Sequence, residues 1–194
     1  MSILALTSDT LIGTPATGNL EYNGQFFGTD SNASRAQLQR IVRATAVAST
    51  SGTSIDFTSI PAWVKRITVM FSGVSTNGTS FPQIQIGSGS VTTTGYLGSG
   101  GIGPTMGAST STTGFSLTNS WAATVVFHGK AEICLLSGNV YVFSFVAGRS
   151  DAGSLLWGGG SSPALGGALD RIRITTVNGT DTFDAGSINI MYEG

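Results

Sequence analysis

Apolar residues recur along this chain with a period of two, in short bursts separated by turn residues. In residues 64–71 (VKRITVMF), Val64 is followed by Ile67, Val69 and Phe71 at alternate places. Residues 81–86 repeat the pattern with Ile84 and Ile86 on one face. Alternation of this kind marks half-buried strands. Further bursts fall at 44–49, 54–57, 115–117, 123–128, 131–136, 169–177 and 186–192. The run 140–147 (VYVFSFVA) is the strongest strand of all. Ser51-Gly52, Asn77-Gly78 and Asn178-Gly179 supply turns, and Ile60-Pro61 ends a strand. The pattern predicts about eight to ten short strands after residue 44 with no strand–helix–strand unit. The expected fold is all-β: a jelly-roll-like antiparallel β-sandwich.

Two stretches break the rhythm. Residues 87–114 and 148–167 are dominated by Gly, Ser and Thr, with Tyr96 and Leu97 in the first and Leu155, Leu156 and Trp157 in the second. They read as long loops, and loops of that length in a compact domain are usually functional or mobile.

The first 44 residues read as a separate neck or attachment segment, with the sandwich over 45–194. Asn23-Gly24 lies between Leu20-Glu21-Tyr22 and Gln25-Phe26-Phe27, a strong short hairpin signal. So small a hairpin cannot bury its aromatics alone. Residues 35–42 (RAQLQRIV) space Leu38, Ile41 and Val42 as on a helix face, with Ser34 placed to cap it. A short helix and extended chain both fit. Arg35, Arg40 and Arg43 form a solvated face there or pair between subunits with Glu21 or Asp30. A faint echo links Lys65-Arg66-Ile67-Thr68-Val69, with Asn77-Gly78-Thr79 after it, to Asp170-Arg171-Ile172-Arg173-Ile174, with Asn178-Gly179-Thr180 after it. Equivalent hairpins or chance both account for it.

Composition sharpens the class. Charged residues are 10% of the chain, against about 25% in ordinary domains. The net charge is −1, and 28 glycines plus many hydroxyls take the place of charges. A neutral, hydroxyl-rich surface suits repeated assembly or neutral polar ligands such as glycans, and does not suit capture of nucleic acid. No apolar run approaches the ~20 residues that span a bilayer, so membrane insertion is not expected. The opening MSILALTSD has no basic region or cleavage signature, and Cys134 is the single cysteine. Synthesis in a reducing cytosol is the expectation.

Catalytic constellations are thin, and no enzymatic activity, cofactor or metal is expected. His128 and Cys134 are six apart, and sharing a face depends on a Gly129-Lys130 turn. Cys134 sits in an apolar run that favours a buried, protonated thiol. One His and one Cys do not make a zinc site within one chain. Asp181 and Asp184 are the closest acids. Glycoside hydrolysis, a Ca²⁺ site and turn capping are the readings, with capping preferred.

Residues 57–80 (FTSIPAWVKRITVMFSGVSTNGTS) and 169–193 (LDRIRITTVNGTDTFDAGSINIMYE) resemble a C-terminal β domain of tailed-bacteriophage tail fibres and virion structural proteins. Residues 14–27 (TPATGNLEYNGQFF) are similar to a short element that precedes such domains. The resemblance implies a homotrimeric virion component, made in the bacterial cytoplasm, touching other virion proteins and a host-surface glycan. A capsid decoration or head fibre without a receptor is the alternative. On this view Tyr22, Phe26, Phe27, Arg35 and Arg40 form the trimer neck. Tyr96, Trp157, Leu156 and Trp121 are the binding candidates: aromatics set among small polar residues that hold a sugar or partner, or that pack under their own loops or in the trimer seam.

Overall fold

The computed structural model describes residues 14, 16–22, 26–32, 34–103 and 107–194. The chain divides into two compact units, Met1–Arg40 and Ile41–Gly194.

The first unit is an antiparallel meander of β1 (Leu20–Tyr22), β2 (Phe26–Thr29) and β3 (Arg35–Gln37). The Asn23-Gly24 turn lies outside the described residues. The strands flanking it pair, with Tyr22 opposite Phe26 and their rings 5.0 Å apart. Asp30 Oδ1 accepts the backbone N–H groups of Asn32 and Ser34, which shapes the β2–β3 turn. Ser34 therefore caps no helix. Arg35 reaches Glu21 within the chain, Nε to Oε2 at 2.7 Å and Nη2 to Oε1 at 3.2 Å, so the pairing expected between subunits is internal.

The helix allowed by the spacing of Leu38, Ile41 and Val42 does not form. Residues 35–37 pair with β2, and β4 (Ile41–Arg43) pairs with the C-terminal strand of the second unit. A helix of two turns is marginal alone, and two sets of ladder hydrogen bonds outcompete it.

The second unit is an antiparallel β-sandwich. After β4 come β5 (Val47–Ala48), β6 (Ser54–Phe57), β7 (Arg66–Thr76), β8 (Pro82–Ser88), β9 (Ser90–Val91) and β10 (Leu97–Ile102). Then follow β11 (Gly107–Ser111), β12 (Phe115–Ser116), β13 (Phe127–Ser137), β14 (Val140–Arg149), β15 (Leu155–Ser161), β16 (Arg171–Thr176) and β17 (Phe183–Glu193). The large sheet runs β11-β10-β15-β14-β13-β7-β17-β4, with β5 also on β17. The small sheet runs β12-β8-β16-β6, with β9 on β8. The strand pairings establish the antiparallel sandwich; they do not establish jelly-roll connectivity.

The two sheets close on a core drawn from both. Ile84, Ile86, Ile172 and Ile174 of the small sheet and Val69, Ile133, Phe145 and Ile190 of the large one are buried. Phe115 stacks on Phe143 at 4.6 Å, tying β12 to β14.

The sequence echo has a structural counterpart. β7 leaves the large sheet and crosses to β8 in the small one; β16 leaves the small sheet and crosses to β17 in the large one. β7 pairs with β17 and β8 with β16, so each arch's first strand pairs with the other's second. These are sheet-crossing arches rather than hairpins. Their turns interlock: Asn77 N donates to Thr182 O, Thr182 N donates to Asn77 Oδ1, and Ser80 N donates to Asp181 Oδ2. The two Asn-Gly glycines serve different ends. Gly179 has a φ of 68°, which its turn requires. At Gly78 a Cβ would run into the Asp181 carboxylate, so a side chain there would push that carboxylate off the arch it caps.

The Gly-rich stretches are not loops. β10, β11 and β15 form there as consecutive strands of the large sheet. At Gly100 and Gly158, inward beside Ile102 and Leu156, backbone of the facing sheet occupies the room a side chain would need. A Cβ on Gly158 would lie 2.5 Å from Ser116 O of β12, and one on Gly100 would lie 2.8 Å from Thr118 N. Likewise Gly129 is no turn: it lies inside β13, where a Cβ would run into Val146 O, so residues 127–128 and 131–136 belong to one strand, while 123–126, expected as strand, form a turn instead.

Candidate recognition surfaces

Three of the four binding candidates are interior. Tyr96 has 0% exposure. Its hydroxyl accepts from Ile86 N at 2.8 Å and donates toward Thr92 O (3.1 Å) and Ile86 O (3.3 Å), and burial pushes the phenol up to about 12. Leu156 points into the core from β15. Trp121 is buried, with Nε1 donating to Thr76 Oγ1 at 2.7 Å. Tyr96 and Leu156 are corrected to structural roles because the stretches read as loops pack against the sandwich, and Trp121 because its ring is enclosed beside Phe127.

Trp157 alone is exposed, at 38%, on the outer face of the large sheet. Cross-strand register builds its surroundings. Trp157 lies between Gly101 and Val146, whose side chain is 60% exposed. Two residues along, Gly159 lies between Ser99 and Ser144. Two further on, Ser161 lies between Leu97 (71% exposed) and Val142. Leu155 extends the patch beyond Trp157. The outer face thus carries a large–small–large relief of apolar rows separated by a row without bulky side chains. On β13 beside it, Lys130 Nζ donates to Glu132 Oε1 at 2.8 Å, so the charges bordering the patch cancel.

Cys134 belongs to this outer face, opposite Val142 and Arg66, and is half-buried rather than part of the core. Burial pushes its thiol up, which keeps it protonated as its sequence neighbours suggested. His128 faces the same side of the unbroken β13, six residues away, which is about 20 Å along an extended strand. The two form no nucleophilic pair. His128 Nδ1 accepts from Gly73 N at 3.0 Å and its Nε2 lies 3.2 Å from Ser150 Oγ. Asp181 caps the interlocked arches, with Oδ1 accepting from Asn178 Nδ2 at 2.7 Å in addition to the Ser80 contact. Those donors hold its carboxyl below the usual range.

The outer face of the small sheet is polar. β8 alternates Ile84 and Ile86 inward with Gln83 and Gln85 outward, and β16 adds Arg173 and Thr175 beside them. With Thr93 and Thr113 they line a groove of about 320 Å³. Gln83 and Gln85 are only 2% and 6% exposed. Gln85 Nε2 donates to Thr113 O (2.8 Å) and Thr113 Oγ1 donates to Gln83 Oε1 (2.9 Å). Arg173 Nε and Nη2 donate to Asp56 Oδ1 and Oδ2, both at 2.7 Å, and this pairing holds the guanidinium firmly protonated. Among the described residues, Gln83 Nε2, Gln85 Oε1 and Arg173 Nη1 have no protein partner. A second hollow of about 270 Å³ shares the Thr113 and Val177 walls and is lined by Ser109, Thr110, Ser111 and Phe81. None of these groove residues stood out as a binding candidate in the sequence, although the FPQIQIG alternation was the signal.

Among the described residues, no group of three or more His, Cys, Asp or Glu side chains is placed to hold a metal ion, and no helix is long and apolar enough to cross a membrane. Comparison with known proteins returns no matching family, no matching curated protein and no matching solved structure.

Proposed function

We propose that this protein is a non-enzymatic bacteriophage virion component, a homotrimeric tail-fibre or tail-tip knob that attaches to the host surface. The virion assignment rests on the resemblance of residues 57–80 and 169–193 to phage fibre domains. The observation that carries the mode of action is the contrast between the sandwich's two outer faces. One is apolar and charge-balanced; the other is a polar groove with unpartnered donors and an unpartnered acceptor.

The apolar face takes further copies of the same chain. The Lys130–Glu132 pair leaves it without net charge, so three copies of the face gather round a threefold axis without repulsion. Burying Leu97, Val142, Val146, Leu155 and Trp157 supplies the hydrophobic drive, and large rows opposite small ones allow interdigitation. The groove face is left for contacts outside the assembly. Several copies convert weak single contacts into firm attachment. A decoration protein has equal use for the first face and none for the second.

Light scattering on the full chain tests the assembly. The expected mass is three times the 19.8 kDa of one chain. Val146→Glu is the decisive variant. In a lone chain the new carboxylate lies opposite Lys130 and is solvated, so the fold is kept. In an assembly it is a buried charge costing several kcal/mol, and the trimer dissociates. A monomer for the unaltered chain, or a trimer indifferent to Val146→Glu, overturns the reading.

A further inference from the structure

We infer that the groove over the small sheet is a binding site for a neutral, polyhydroxylated ligand, a short stretch of uncharged glycan; this rests on the attachment reading and gives it a location. The chemistry follows from what the groove leaves unsatisfied. Gln83 Nε2 and Arg173 Nη1 offer N–H donors, Gln85 Oε1 offers an acceptor, and Thr93 adds a hydroxyl that does either. Hydroxyls of a sugar donate and accept at once, so they complete this mixed set. The two glutamines are almost wholly buried and tethered to one another through Thr113, so their orientation is fixed before any ligand arrives. Preorganised groups lose little entropy on binding.

Charge selects against acidic ligands. Arg173 is the cation lining the groove, and its bidentate partner Asp56 neutralises it. An anionic sugar meets no net positive field, while its own charge must still be desolvated. The neighbouring hollow extends the track with Ser109, Thr110 and Ser111 hydroxyls, and Phe81 and Val177 supply apolar surface for the C–H face of a sugar ring. Each hollow is near the lower end of the ~300–1,000 Å³ of small-molecule sites, and together they suit more than one ring.

The test is saturation-transfer NMR on the intact chain with a panel of neutral hexose and N-acetylhexosamine trisaccharides and matching uronic-acid trisaccharides. Neutral members are expected to bind with a dissociation constant on the order of 1 mM per site. Thr93→Trp fills the groove from an exposed position and is expected to abolish the signal; Gln85→Met, close in shape but unable to hydrogen-bond, is expected to weaken binding at least tenfold. Lys65→Gln, exposed and outside the lining of both hollows, is expected to leave it unchanged. Failure of the whole neutral panel, preference for the acidic sugars, or binding indifferent to Thr93→Trp overturns the inference. Light scattering on the same samples keeps the two proposals apart: a trimer that binds no sugar here sinks the groove and spares the assembly.

Discussion

Gly158, Gly159 and Gly160 of β15 offer a severe check on the register of the large sheet, because alanine should act with opposite sign at neighbouring positions. A Cβ at 158 would lie 2.5 Å from Ser116 O in the facing sheet. At 160 it would lie 2.6 Å from Leu97 O and 2.8 Å from Gly98 Cα in the adjacent strand. At 159 the nearest atom is Phe143 O at 3.7 Å. Non-bonded contacts settle at about 3.5–4 Å, so positions 158 and 160 force backbone apart by about 1 Å. Backbone cannot rotate aside as a side chain does, and overpacking of this kind costs about 1–3 kcal/mol. Position 159 meets no obstacle, and alanine there restricts the unfolded chain, stabilising by about 0.4–1 kcal/mol.

The expected pattern over Gly158→Ala, Gly159→Ala and Gly160→Ala is loss, gain, loss. Urea unfolding reads it directly. With a slope of about 2 kcal/mol per molar, the outer two midpoints fall by about 0.5–1.5 M and the middle one rises by a few tenths of that unit. Two protein concentrations separate fold stability from assembly, which contributes by mass action. Equal shifts at all three positions, or the largest loss at 159, would refute the placement of β15 between β10 and β14.

Two pH effects follow from the ionisable groups. Tyr96 holds its phenolic proton to about pH 12 in the fold, while the unfolded side chain releases it near 10. Stability is therefore complete below pH 10 and is lost as pH climbs towards 12, by about 3 kcal/mol. Tyr96→Phe strands the Ile86 N–H at a cost of about 1–3 kcal/mol but removes that alkaline loss; equal slopes for the two chains would disprove the assignment. At the acid end, Asp170 and Asp151 are held below the usual carboxylate range by hydrogen bonds from Arg171 and Arg149, as Asp181 is by Asn178. The fold prefers them ionised, so stability present above about pH 4 falls away as pH drops through their folded values. Urea midpoints that stay level from about pH 6 to pH 3 would contradict this.

What the sequence made legible was whatever side-chain alternation could announce. Residues 54–57 and 140–147 read as strands and are strands, because Ile55, Phe57, Tyr141, Phe143 and Phe145 mark the inward face. Where burial is achieved by missing side chains, the pattern falls silent. β10 and β15 press glycine backbone against β12, and no periodicity records that contact. Read as loops, those stretches made Tyr96 and Leu156 look exposed. Residues 35–42, which left helix and extended chain open, were ambiguous for a different reason: their helical spacing is real, but hairpin pairing with the nearby β2 and ladder pairing with β17, far away in sequence, override it. The outward Val142 and Val146 were legible in principle, since apolar residues on both faces of one strand signal cover on both sides.

The low charge count gains meaning once the charges are located. Among the described residues six ion pairs form: Arg35–Glu21, Arg66–Glu193, Lys130–Glu132, Arg149–Asp151, Arg171–Asp170 and Arg173–Asp56. They join twelve of the nineteen acidic and basic residues of the chain (9 Lys+Arg and 10 Asp+Glu). Each pair is worth little to stability where it is exposed. Their larger effect is to flatten the field around both outer faces, so that no long-range attraction steers a partner in. Whatever this surface holds must be held by shape, by desolvation of Trp157 and its neighbours, and by hydrogen bonds to groups such as Gln83 and Gln85. Contacts of that kind discriminate through fit at short range and are feeble singly. In the assembly proposed above, repetition would supply what the chain lacks in charge.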